Sequence, residues 1–153
     1  MVDKVATIYE DDSLIIVNKP AGLLVIPTPK KEKITLTYLI NEKLKLAGSE
    51  VKAHPCHRLD RDTSGVIVYA KGKRMRQLVM EQFKRQKVRK IYIAFVHGDI
   101  AKGQGQIKSY IRDTKYENAK LAITKYKIIE NRKDFTIVEV YPITGRTNQI
   151  RIH

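Results

Sequence analysis

His54-Pro-Cys-His-Arg-Leu-Asp-Arg-Asp-Thr-Ser-Gly-Val-Ile-Val-Tyr-Ala-Lys71 runs a dense polar cluster straight into an apolar strand. Val66 to Ala70 crowds β-branched and aromatic residues into a short run, and Thr63-Ser64-Gly65 supplies the turn before it. His57, Arg58, Asp60, Arg61 and Asp62 therefore belong on a loop fixed at one end by a rigid element. Reactive groups concentrate on such loops, so a carboxylate flanked by arginines is a candidate site. The same residues also make a polar turn whose charges solvate one another, and the bare pattern does not separate the two readings.

Upstream, Val5 to Tyr9 and Leu14 to Lys19 read as a hairpin closed by the acidic turn Glu10-Asp11-Asp12-Ser13. Asn18-Lys19-Pro20-Ala21-Gly22 breaks the second strand, because proline removes a donor and glycine admits positive φ. Leu23 to Ile26 resumes an extended run, followed by a loop of Pro27, Pro29 and lysines. From Thr35, Leu36, Leu39, Ile40, Leu44 and Ala47 recur at helical spacing, and Gly48 stands at the stop position.

Downstream, a second helix is expected over Arg74 to Gln86, with Met75, Leu78, Val79 and Phe83 as a core-facing stripe. Its other faces are basic: Lys71 to Lys90 holds nine Lys or Arg and a single acid, Glu81. A solvated helix face normally mixes signs, so this one suits a phosphate-tracking surface. Arg89 to Gly98 is apolar on both faces and is expected to be a central strand. Lys102 to Gly105 is expected to be a flexible connection, and Gln106 to Ile111, Leu121 to Glu130 and Phe135 to Tyr141 supply further strands. Thr144 or Thr147 is placed to cap a closing helix in which Asn148, Arg151 and Ile152 share one face, with Gln149 and His153 on another. Many strands, few helices and no βαβ rhythm give an α+β class with a mixed, largely antiparallel sheet and flanking helices.

The 153 residues suit a single domain. With 42% hydrophobic residues the chain is too apolar for disorder. Lys and Arg number 30 against 16 Asp and Glu, a net charge of +14, and residues 1 to 50 are neutral, so the excess falls entirely after them. A polyanion is the natural partner, and lysines near phosphates make such binding strongly salt-dependent. Cys56 is the sole cysteine, which excludes an internal disulfide and fits a reducing, cytoplasmic setting. Leu14 to Val17 and Leu23 to Ile26 are too short for a membrane span or a signal-peptide core, and no membrane partner is expected.

Three pieces of sequence narrow the choice. His57-Arg58-Leu59-Asp60-x-x-Thr63-Ser64-Gly65 before a strand, Lys90-x-Tyr92-x-Ala94-x-Val96-x-Gly98, and Thr144-Gly145-Arg146-Thr147-x-Gln149-Ile150-Arg151-x-His153 resemble, in order, the three motifs of the RluA-like pseudouridine synthases. The resemblance runs from about Val5 to His153 and implies the synthase fold, with isomerisation of uridines in ribosomal or transfer RNA and no cofactor or metal. It implies Asp60 as the catalytic carboxylate, Tyr92 against the target base, Arg151 as the cation paired with Asp60, and Arg58 beside the flipped nucleotide. His57, Arg61, Lys71, Lys73, Arg74 and Arg146 are the further RNA-binding candidates. No small RNA-binding domain precedes the matched region, and the third motif ends the sequence. The expectation is thus one catalytic domain over 1–153, incomplete at its C-terminus and weakly active or inactive alone.

Other chemistries fit less well. His54, Cys56, His57, Asp60 and Asp62 are ligand types for a metal, yet the spacing matches no zinc pattern and the arginines repel a cation. A non-catalytic RNA-binding module, or a glycosidase-like pair of Asp60 and Asp62, is the remaining alternative.

Overall fold

A computed structural model describes residues 5–112 and 118–153, which fall into two compact units, Met1–Arg85 and Gln86–His153. Each carries a four-stranded sheet, and every strand pairing among the described residues is antiparallel.

In the first unit the order is β1 (Ala6–Glu10), β2 (Leu14–Lys19), β4 (Gly65–Lys71), β3 (Ala53–Pro55). The β1–β2 hairpin closes as its turn chemistry predicts: Asp11 accepts the N–H groups of Ser13 and Leu14 through one carboxylate oxygen, both at 2.7 Å. Helix α1 (Leu36–Leu46) begins where the sequence places it, with Thr35 as N-cap accepting the Tyr38 N–H at 3.2 Å. Leu36, Leu39, Ile40 and Leu44 are its buried face, each contributing about 1.5–3 kcal/mol of burial. They join Ile15, Val17, Ile67 and Tyr69 in the core. Gly48, at φ 77, follows the last turn in the left-handed conformation that glycine adopts without strain.

Three expectations for this unit change. Leu23 to Ile26 is not a strand: the carbonyls of Leu24 and Val25 accept the N–H groups of Leu36 and Thr37, so the segment serves the start of α1. Strand β3, which ends at Pro55, is too short to show a period. Helix α2 (Lys73–Lys84) exists near its expected bounds, but it buries no residue, and Leu78 is exposed. Its stripe covers an edge of the unit rather than entering the core.

In the second unit the order is β5 (Tyr92–His97), β8 (Phe135–Pro142), β7 (Lys120–Asn131), β6 (Gln104–Ile111). Strand β5 is therefore at the sheet edge, not central. Both of its faces are apolar, but apolar side chains are buried only where another element covers them, and Ile93 and Phe95 lie open. Gln104 and Gly105 belong to β6 rather than to a flexible connection. Gly105 stands opposite Tyr126, whose hydroxyl would lie 2.7 Å from a Cβ at that position, so only glycine lets the ring lie across the strand.

Candidate active site

The Asp60 loop is held at several points within the first unit. Beyond Pro55 the β3–β4 ladder goes on without regular strand. The Cys56 N–H donates to the Val68 carbonyl at 2.9 Å, and the Val68 N–H donates at 3.1 Å to Nε2 of His57. An imidazole thus stands where a main-chain carbonyl would otherwise accept, and that bond requires Nε2 to carry no proton. The His57 ring also lies on Phe83 of α2, centroids 4.7 Å apart and tilted by 32°. Leu59 is buried, with its Cδ1 near Gly65, which takes φ 129 at the start of β4.

Asp60 opens a turn closed by the Thr63 N–H donating to its carbonyl at 3.2 Å. Lys19, at the end of β2, is fully buried, and its Nζ donates to the carbonyls of Leu23 at 2.7 Å, Arg61 at 2.8 Å and Pro20 at 2.9 Å. All three donors of the ammonium are thereby used, which is how a lysine is tolerated out of water. Desolvation pushes the Lys19 ammonium below its ordinary pKa, opposed by the charges of Asp62 and Asp60. Burial likewise pushes the Cys56 thiol up, with the Arg76 charge acting against it.

The basic residues around this loop divide. Arg61 lies 3.6 Å from Glu32 and Lys71 3.0 Å from Glu10, so both already face a carboxylate. His57 is part of the scaffold. Arg58, Lys73 and Arg74 are exposed, the last two on the opening turn of α2. Arg76, not singled out in the sequence, donates from Nε to the Pro55 carbonyl at 3.3 Å and ties α2 to β3.

Tyr92 and Arg151 belong to the second unit. Tyr92 is half-buried at the start of β5, directly opposite Val140 and on the sheet face shared with Ala94 and Val96. Arg151 is exposed on α3 (Gln149–Ile152), a single turn. No threonine caps that turn. Its N-cap is Asn148 at φ 54, a left-handed conformation asparagine accepts more readily than most residues.

Gln149 explains where Thr144 is occupied instead. It is buried, and its Oε1 accepts from the Thr144 hydroxyl at 2.7 Å and the Arg146 N–H at 3.0 Å. Its Nε2 donates to Thr124 Oγ1 at 2.9 Å and to the Ile123 carbonyl at 3.0 Å. Thr144 Oγ1 in turn accepts the Ile123 N–H at 2.9 Å. His153 completes the docking, with Nδ1 2.8 Å from Thr124 Oγ1 and Nε2 2.8 Å from Ser109 Oγ. The expected facial split holds in part: Gln149 and His153 meet the sheet while Arg151 and Ile152 face out, but Asn148 stands before the turn as its cap rather than on their face. Arg146 donates from Nε to the Leu121 carbonyl at 3.1 Å, and Lys90 donates to the Thr144 carbonyl at 3.1 Å. Burial pushes the Lys90 ammonium down.

Among the described residues no group of three or more His, Cys, Asp or Glu side chains is placed to hold a metal ion, and no helix is long and apolar enough to cross a membrane.

Comparison with known proteins finds similarity over nearly the whole chain. The model of the RNA pseudouridylate synthase family matches residues 13–153. Ribosomal large subunit pseudouridine synthase D of Borreliella burgdorferi is 34% identical over 163 residues, covering 97% of this chain and 50% of its own length. The dual-specificity RNA pseudouridine synthase RluA of Vibrio cholerae is 33% identical over 155 residues, covering 95% and 61%. Among solved structures, human RNA pseudouridylate synthase domain containing 4 superposes with a TM-score of 0.81 at 29% identity, over 97% of this chain and 62% of that one. The chain spans about half the length of the curated relatives it matches first.

Proposed function

Because this chain belongs to the RNA pseudouridylate synthase family and is RluA-like, we propose that it converts specific uridines of a structured RNA, ribosomal or transfer, to pseudouridine, with Asp60 as the catalytic carboxylate. The reaction breaks the bond from ribose C1′ to uracil N1, rotates the base and joins C5 to C1′, with the C5 proton lost and a proton taken up at N1. Positive charge develops on the sugar as the first bond breaks, so a fixed, ionised carboxylate can stabilise it or attack C1′. The observation that supports this reading best is the tethering of the Asp60 turn by Lys19, Leu59 and His57. Such pre-organisation is worth more to a reacting group than to a solvated turn.

Tyr92 offers a ring face for the uracil and a hydroxyl for proton transfer, and Arg151 supplies the cation that keeps the carboxylate charged during turnover. A uridine in a folded RNA must first leave its stack, at a cost of a few kcal/mol that phosphate contacts from Lys73, Arg74 and Arg58 offset. Lys71, Arg61 and Arg146 reach RNA only by exchanging the partners described above.

Asp60→Asn against wild type, with pseudouridine mapped across ribosomal and transfer RNA, is the test. The expected result is loss of one or more sites with RNA affinity retained. A map with every site intact would overturn the enzymatic assignment and leave an RNA-binding module.

A further inference from the structure

The sheet of the second unit has two unlike faces. One carries Ser109 and Thr124, and Gln149 and His153 dock on it. On the other, every second side chain of β6 is exposed, Gln104, Gln106, Lys108 and Tyr110, and the register sets Lys127, Lys125 and Leu121 of β7 beside three of them. Strand β8 adds Tyr141 opposite Lys125, and β5 adds Phe95 opposite Ile137. Tyr110 is 73% exposed and Phe95 69%. A single open ring needs no explanation, but here several share one face with lysines.

The charges of this face are uncompensated. Among the described residues none of Lys108, Lys125 and Lys127 is paired with a carboxylate, although Glu139 stands opposite Lys127. Glu139 accepts the Tyr141 hydroxyl instead, and Glu130 pairs with Arg132 at 2.8 Å. The Arg89 guanidinium lies 5.6 Å from the centre of the Tyr141 ring, so a cation already rests on that aromatic plane. Tyr110 stands opposite Leu121 and Tyr141 opposite Lys125, which separates the two rings by two strand spacings and four residues, on the order of 17 Å. Lys108 and Lys125 fall along that path.

We propose that this face is a stacking platform for single-stranded RNA, with bases laid on Tyr110, Phe95 and the Arg89–Tyr141 pair and the phosphates between them on Lys108, Lys125 and Lys127. Rings accept unpaired bases of any sequence, whereas a duplex hides its base faces and gains only the charge. A second copy on this face would set lysines against lysines. The choice of RNA rests on the synthase reading above. The face is turned away from the side of the sheet that carries Tyr92, so it holds a strand flanking the target rather than the target uridine.

Fluorescence anisotropy with the full chain tests this, using a labelled single strand of cytidine and adenosine and, as the duplex, a hairpin of G·C pairs, both without uridine. Tyr110→Leu keeps an apolar side chain beside Leu121 but removes the ring; it should weaken single-strand binding at least about fivefold, with hairpin binding unchanged, and Tyr110→Phe should stay within about twofold of the wild type. Lys108→Gln with Lys125→Gln should lower the slope of log affinity against log salt by about 1.4 on the single strand. Single-strand binding by Tyr110→Leu as tight as by the wild type, or an equal loss on the hairpin, would overturn the platform. Displacement of the RNA by polyglutamate as effective as by unlabelled RNA of equal charge would assign the face to an acidic protein, and a wild-type mass that doubles with concentration, abolished by Tyr110→Lys, would assign it to a second copy. Pseudouridine formed by a chain whose RNA binding ignores Tyr110 would sink the platform alone; Tyr110-dependent binding without pseudouridine would sink the synthase reading alone.

Discussion

Lys19 donates from Nζ to the main-chain oxygen of Arg61 at 2.8 Å, although 42 residues separate the two in sequence. The bond joins the end of a hairpin strand to the turn that carries Asp60, so the position of that carboxylate is set by a side chain that never needs to meet RNA.

Lys19→Met keeps the length of the side chain but leaves three main-chain carbonyls without that donor. A loss of about 2 kcal/mol or more in unfolding free energy is expected, read by urea titration. Turnover should fall at least about tenfold at saturating RNA while affinity changes little, since the turn is loosened rather than removed. Unchanged turnover would separate Lys19 from the site.

His57→Ala removes the acceptor of the Val68 N–H and the ring packed on Phe83. About 1–3 kcal/mol of destabilisation is expected. Amide exchange locates it: the Val68 N–H should exchange much faster in the variant, with strand β7 unaffected. If His57 instead served only to contact RNA, the Val68 exchange rate would stay as in the wild type.

Burial lowers the His153 pKa below its ordinary 6.5, and both ring nitrogens lie against hydroxyls. The fold therefore prefers the neutral ring, whereas the unfolded chain takes up a proton first. The His153 contribution is fully present above about pH 6.5 and declines as pH falls toward and through the lowered folded value. Stability measured from pH 7.5 down to 5 should fall less steeply in His153→Phe than in the wild type. Equal slopes would refute the assignment.

Replacing the exposed pair Lys73 and Arg74 with glutamine should weaken RNA binding evenly across sequences. The slope of log affinity against log salt should drop by up to about two, roughly one per phosphate contact removed. Affinity measured over a salt series decides it, and an unchanged slope would move the phosphate surface away from α2.

Local signals were readable in the sequence where the chain satisfies itself locally. The hairpin turn at Asp11 and the helix start at Thr35 need only a few neighbouring residues, and both stand where the sequence puts them. The Asp60 loop was readable because a turn feeding an apolar strand needs no distant partner. Lys19 and Gln149 were not readable as structural hubs. A lysine ending a strand looks solvated, and a glutamine in a basic tail looks exposed, until carbonyls from distant segments arrive to use their donors. The misjudged position of β5 has the same root: an apolar pattern records what a strand can bury, and only the neighbours decide whether it does.

Cys56 sits beside His57, on the segment whose N–H groups and ring complete the β4 ladder, with its thiol buried and its ionisation suppressed. Alkylation needs an accessible thiolate, so a reagent must wait for this segment to part from β4. The chain thus carries its own stopwatch for loop opening. The labelling rate of one native thiol, followed with and without RNA, reports how often the ground beneath Asp60 gives way.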